Sequence, residues 1–346
     1  MTMKLVTRLI TCTSLSAALA LGGCGSARGP EVVIYSAHDQ EFSEPILDEF
    51  ERQSGVRVLA KYDVESTKTV GLVNAIIQEQ NRPRCDVFWN NEILHTLRLK
   101  RLGLLDAYVP TIAESIPAGY RSPDGLWYGF AARARVLIVN TVVLGDVPRD
   151  EWPDSIHDLV DPRWKDQVGI ARPLFGTTAT HAAVLFAELG DDEAREFFRQ
   201  VHANARVVSG NKQVALDVAR GRLAWGITDT DDAMIEVDKK GPVEIIYPDQ
   251  NEGELGTLFI PNTLCIIRGG PNEENARRLV DYLLSTEIED RLAEGPSAQF
   301  PVIDGAEAKS RAAPDEPIRW MKADFEAAAD KWDTAAEFLR DEFAGG

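Results

Sequence analysis

The chain has 346 residues, 44% of them apolar, and a formal net charge of −18. That length supports about two domains or lobes, each with a sizeable core. The acidic balance argues against nucleic acid and against docking on anionic lipid headgroups, since both need a basic face.

The first residues read as an export signal. Lys4 and Arg8 lead into a short apolar stretch, Leu9 to Leu21, and small residues follow. The stretch is short for a membrane-spanning helix, and no later one is long and apolar enough to span. Leu21-Gly22-Gly23-Cys24 resembles a bacterial lipobox. That resemblance implies a signal peptide over residues 1–23 and a lipid on the sulfur of Cys24, which would anchor the protein to a membrane at the cell surface or in the periplasm. Two further cysteines, Cys85 and Cys265, lie in apolar, β-like runs. Outside the cytoplasm they are expected either to pair or to pack as two buried thiols.

From Val32 onward, strand and helix patterns alternate. Val32 to Tyr35 is a continuous apolar run, as in a buried parallel strand. Ser43-Glu44-Pro45 predicts a helix start, with Ser as N-cap and Pro in the first turn, and Gly55 predicts its end. Val56 to Tyr62 and Cys85 to Trp89 read as strands; Thr69 to Gln80 and Asn91 to Leu102 read as helices. This β-α-β-α-β-α order predicts an α/β domain with a mostly parallel sheet. Trp127 to Phe130 and Arg135 to Val139 read as two strands with Ala131 to Ala134 between them. A second α/β region follows, with strands at Val168 to Ala171, Leu223 to Thr228 and Val243 to Tyr247, and helices after Thr178, Asp191 and Asn211. Thr257 to Arg268 returns as β, Asn272 to Leu284 and Thr286 to Glu294 as helices, and the tail from Arg319 to Phe343 is charged and amphipathic.

Ligands of open α/β sheets bind beyond the carboxyl ends of the strands. Ser36, His38, Asn90, Asn91 and Glu92 fall at such ends, and so does the run Thr228-Asp229-Thr230-Asp231-Asp232. That run is read either as an acidic helix start, which the helix dipole favours, or as a site for a cation or an amine. Phe175-Gly176-Thr177-Thr178 precedes a helix and supplies free N–H groups and two hydroxyls, an anion pocket or a plain cap. Arg133 and Arg135 are two residues apart and, if the segment is a strand, share one face; they suit bidentate contact with carboxylate or phosphate, or a surface salt bridge. The nucleophile, zinc-protease, kinase and dinucleotide signatures are all missing.

Several stretches resemble the extracellular solute-binding proteins of ABC importers, and within them the ferric-ion-binding branch. They are Val33-Ile34-Tyr35-Ser36 with His38, Asp86-Val87-Phe88-Trp89, Trp127-Tyr128-Gly129 with Arg133-Ala134-Arg135-Val136, Asp158-Leu159-Val160-Asp161-Pro162-Arg163-Trp164-Lys165, and Pro271-Asn272 with Glu274-Asn275-Ala276. The resemblance implies an α/β, two-lobed periplasmic-binding-protein fold of the second type, with the ligand clamped at a hinge of crossing strands. It implies residues 24–131 and 255–305 as one lobe, 132–254 as the other, and 306–346 as a helical tail packed on them. It also implies a monomer that serves a permease and an ATPase, with no catalysis.

By the same resemblance, His38 and Asn91 or Glu92 fall on metal-binding positions. Gly176, Thr177 and Thr178, with Ser36 and Arg133 nearby, would hold a synergistic anion. Iron members carry two adjacent tyrosines where this chain has Asp231 and Asp232, and no Tyr-Tyr pair occurs anywhere. Carboxylates are hard ligands that also pair with ammonium groups. The leading expectation is therefore a ferric or other metal ion bound by His38, Asn91, Glu92, Asp229, Asp231 and Asp232. The alternative is an organic ion such as an aminophosphonate or sugar phosphate. A secreted hydrolase using the aspartates is a third, remote reading.

Overall fold

The computed structural model describes residues 29–63 and 69–344. The export signal and Cys24 lie outside the described residues. Ten strands form one mixed sheet: β1 (Glu31–Ser36), β2 (Arg57–Tyr62), β3 (Val87–Asn90), β4 (Leu105–Asp106), β5 (Tyr128–Asn140), β6 (Val168–Ala171), β7 (Arg206–Val208), β8 (Trp225–Asp229), β9 (Val243–Ile246) and β10 (Phe259–Ile267). Their order is β2-β1-β3-β10-β5-β8-β6-β7, with β4 added on β10 and β9 on β5. Among the described residues, ten α-helices cover it: α1 (Gln40–Ser54), α2 (Val70–Gln78), α3 (Leu94–Arg101), α4 (Gly176–Leu189), α5 (Asp191–Asn204), α6 (Asn211–Ala219), α7 (Thr230–Asp238), α8 (Glu273–Leu283), α9 (Thr286–Glu294) and α10 (Phe325–Glu342).

The sheet has two halves, and β5 runs through both. Its first part pairs antiparallel with β10, from Leu264↔Tyr128 to Phe259↔Ala134. Its second part pairs with β8 and β9, beginning at Arg135↔Asp229. The sequence reading of two strands separated by Ala131 to Ala134 is thus corrected: all 13 residues of β5 are buried and extended as one strand. Ala131 absorbs the irregularity with φ at +41°, opposite a register shift in β10 between Ile260 and Asn262.

Helix α1 begins three residues before the Ser43-Glu44-Pro45 signal. Ser43 donates its hydroxyl back to the carbonyl oxygens of His38 (3.2 Å) and Asp39 (2.9 Å), and Pro45 sits inside the helix. Pro45 has no N–H to donate to the Glu41 carbonyl oxygen, so one backbone bond of α1 is missing there.

In the second half, Gly226 on β8 sets a close approach. A Cβ there would lie 2.5 Å from Val214 Cγ1 and 2.8 Å from the Gly169 carbonyl oxygen. The missing side chain lets α6 pack down on β6 and β8, which brings the start of α6 to the end of β8.

Apolar clusters fill each half. Helix α10 joins both: Phe325 and Ala328 pack with Ile93 and Leu97 of the first half, while Ala335, Leu339 and Phe343 pack with Leu185, Phe186 and Phe198 of the second. Among the described residues, no helix is long and apolar enough to cross a membrane. Cys85 and Cys265 are buried free thiols, so the pairing alternative is not taken.

Candidate functional site

The acidic run at the end of β8 is not a set of helix caps. Asp229 occupies the N-cap position of α7 without any side-chain cap bond. Its carboxylate turns across the sheet instead, where Arg135 Nη1 meets Oδ1 at 2.6 Å. The other oxygen accepts from Asn211 Nδ2 at 2.9 Å and from the Thr177 hydroxyl. Asp231 is held by Arg133, whose Nη1 lies 3.1 Å from Oδ2, and by Gln299 Nε2 at 3.4 Å. Asp229, Asp231 and Asp232 are all buried. One oxygen from each lies within 4.8 Å of the other two, a spacing that could hold a metal ion.

Arg133 is the centre of this network. Its Nη2 lies 3.1 Å from His38 Nδ1 and donates to Asn262 Oδ1 at 3.0 Å. The His38 ring in turn stacks on Trp89, with centroids 5.1 Å apart. Burial works against the charge of Arg133, but the carboxylates of Asp231, Asp229, Asp39 and Asp232 outweigh it and move its pKa up. On the other side of Arg135, His181 is buried and beside a fixed positive charge; both effects push its pKa down to about 3 and keep it neutral.

A second, polar pocket adjoins Asp229. It is lined by Phe175 to Thr178 at the start of α4, by Ser209, Gly210 and Asn211 at the start of α6, and by Asn91, Ala171 and Arg172. Among the described residues, no side-chain cap bond is made at the N-cap of either helix, Phe175 or Gly210. Their first N–H groups and the positive ends of both dipoles therefore remain for a ligand. Gly176 has φ at +54°, a conformation that glycine adopts without cost. Thr178 donates to Asn211 Oδ1 at 3.0 Å, which ties the two helix starts together.

The residues singled out in the sequence separate into groups. His38, Arg133, Asp231 and Asp232 belong to the Arg133 network; Asn91, Gly176, Thr177 and Thr178 line the polar pocket; Asp229 touches both. Two further residues of the set, Ser36 and Glu92, are engaged by other partners. Ser36 donates its hydroxyl to the His38 carbonyl oxygen at 3.1 Å, which shapes the turn after β1. Glu92 faces the start of α3, where it accepts from the backbone N–H of Leu94 and His95 and from Asn90 Nδ2. It also accepts from Thr180 of α4 at 2.8 Å. Burial raises its pKa, but the neighbouring His95 and the donors Asn90 and Thr180 bring it below the ordinary value. Glu92 is thus a capping residue and a tie between the halves, with both oxygens engaged away from the aspartates.

Arg172, Asn211, Asn262 and Gln299 escaped the sequence reading. For Asn211 a signal existed: Ser209-Gly210-Asn211 before an apolar-periodic helix is the same start pattern as Phe175-Gly176-Thr177. Asn262 and Gln299 carry no local signal, since they act through long-range contacts.

The model of a family described as "Bacterial extracellular solute-binding protein" matches residues 95–328. Similar proteins include "Iron uptake protein A2" of Synechocystis sp., 27% identical over 301 residues, covering 81% of this chain and 80% of that one. "Putative 2-aminoethylphosphonate-binding periplasmic protein" of Salmonella typhimurium is 26% identical over 292 residues, covering 81% and 82%. Among solved structures, the periplasmic binding protein AfuA from Actinobacillus pleuropneumoniae, with exogenous fructose-6-phosphate bound, superposes with a TM-score of 0.80 at 25% identity, covering 92% of this chain and all of that one. The fold is therefore the α/β fold of periplasmic binding proteins.

Proposed function

Because the chain belongs to the bacterial extracellular solute-binding proteins, and so is the solute-capturing, non-enzymatic part of an ABC importer, we propose that its cargo is a small organic anion carrying a phosphate or phosphonate. The observation that carries this reading is the polar pocket, where two uncapped helix starts and Arg172 converge. Such a pocket supplies N–H donors and positive dipole ends suited to a dianion. The relation to a 2-aminoethylphosphonate-binding protein and to a sugar-phosphate complex supports it. Asp232, a carboxylate of the Arg133 network, would accept from a hydroxyl or amine at the other end of the ligand. A lipid on Cys24 would hold the protein at the membrane beside its permease.

A metal ion is the second reading, favoured by the spacing of Asp229, Asp231 and Asp232 and by the relation to an iron uptake protein. It ranks lower because Arg133 and Arg135 already pair with two of those three carboxylates. Thermal unfolding of the purified protein with 2-aminoethylphosphonate, fructose-6-phosphate, inorganic phosphate, ferric citrate and zinc separates the two, since a ligand bound by the native state alone raises apparent stability. A rise with the phosphorylated compounds and none with metals is expected. A rise with ferric citrate alone would overturn the assignment.

A further inference from the structure

We infer that Arg133 is a resident cation of the cleft, placed so that it excludes metal ions from the site formed by His38 and Asp231. This deepens the organic-anion reading and rests on it. His38 follows β1 in the first half of the sheet, and Asp231 follows β8 in the second; one guanidinium reaches both, at 3.1 Å each. A metal bridging the two halves through His38 Nδ1 and Asp231 Oδ2 would have to displace the guanidinium from both atoms. Its charge would also lie within a few ångströms of a fixed positive charge in a poorly screened interior.

Arg133 cannot step aside easily. It stands on β5, the strand shared by both halves, and is fully buried among the largest sealed side chains. Its Nη2 is anchored by Asn262 of β10, and Asn262 is itself fixed by Gln299 Oε1 at 2.8 Å and by the Ala131 carbonyl oxygen. Swinging the guanidinium out would strand a charge and break its contacts with β10, with α7 and with the turn after β1. The donor set left around it, an imidazole and carboxylates, is one that suits zinc and iron once the cation is removed.

The test uses the full exported chain. Arg133→Gln keeps a hydrogen-bond donor but removes the charge; Arg133→Lys keeps the charge; Arg133→Gln combined with Asp231→Asn removes both partners. Zinc binding is read by isothermal titration and by the zinc-induced shift in unfolding temperature, with circular dichroism as the check on folding. Arg133→Gln is expected to bind zinc at least about tenfold more tightly than the wild type, Arg133→Lys to match the wild type, and the double variant to lose the gain. A folded Arg133→Gln protein with no gain in zinc affinity would overturn the role of Arg133. Wild-type protein that already binds zinc or ferric citrate tightly would instead overturn the organic-anion reading. If Arg133→Gln folds only with zinc present, that rescue supports the same conclusion; failure to fold with or without zinc, while the double variant folds and gains no zinc affinity, counts against it.

Discussion

Arg135 and Asp229 stand directly opposite each other across the antiparallel pair β5–β8 and meet at 2.6 Å with both side chains buried. Asp229 also collects Asn211 from the start of α6 and Thr177 from the start of α4. A single carboxylate thus positions both helix starts of the polar pocket. Removing it by Asp229→Ala leaves Arg135 as an uncompensated buried charge, which should cost about 3–5 kcal/mol of stability. Replacing both partners with apolar residues, Arg135→Met with Asp229→Leu, should recover much of that loss while phosphate-ester binding stays abolished. Urea unfolding and titration calorimetry check the two halves of this expectation. Equal destabilisation in the single and double variants would mean that the pair is not coupled.

The same carboxylate marks how far the sequence could be read. The apolar run ending at Thr228 located the strand end, and the alternation of strands and helices located the lobes' α/β character. The direction in which Asp229 turns was hidden, because its partner Arg135 is 94 residues away. The partners of Glu92 were hidden for a related reason. Its position after β3 suited a ligand, but the N–H groups of α3 lie within reach and Thr180 approaches from a distant helix. Local pattern reports which residues gather at strand ends; it does not report which partner satisfies each of them. The continuity of β5 through Ala131 was hidden too, since a small residue at positive φ inside a strand has no compositional mark.

Gly176 opens α4 with φ at +54°, and no atom lies within 4 Å of where a Cβ would stand. The cost of Gly176→Ala is therefore backbone strain alone, about 1–2 kcal/mol. Relief of that strain would turn the first N–H groups of α4 away from the pocket. Lower thermal stability together with weaker binding of 2-aminoethylphosphonate is expected. Unchanged binding with reduced stability would show that the α4 start does not face the ligand.

Thr180 of α4 donates to Glu92 across the two halves at 2.8 Å, so the bond would be lost if the halves moved apart. A hydrogen bond to a charged group is worth about 1.5–3 kcal/mol. Thr180→Val keeps the shape and deletes the donor, so it should weaken the closed state and lower ligand affinity by roughly 10–100-fold. The free protein should become more open in small-angle scattering. Full wild-type affinity in this variant would mean that the contact contributes nothing to closure.

Glu289 should give the protein a pH-dependent stability of its own. Its carboxyl is buried under β5 and accepts the backbone N–H groups of Ala131, Val302 and Ile303 at 2.9–3.0 Å. Burial nevertheless dominates and raises its pKa from 4.5 to about 7, against the lowering effect of those three donors. Since the native pKa lies above the unfolded one, the native state holds the extra proton between those two values. Stability from this group therefore falls as pH rises from about 4.5 to about 7 and is level above that, a change of about 3 kcal/mol. Glu289→Gln stays neutral throughout, so the difference between wild type and variant should follow that curve in urea unfolding from pH 4 to 8. The effect reaches the site, because Ala131 lies two residues before Arg133 and its carbonyl oxygen accepts from Asn262, the anchor of that guanidinium. The stability lost as Glu289 ionises is thus expected to appear as a fall in the protection factor of amides in β5 and β10, taken relative to the intrinsic exchange rate at each pH, from pH 5 to pH 7 in the wild type and not in the variant.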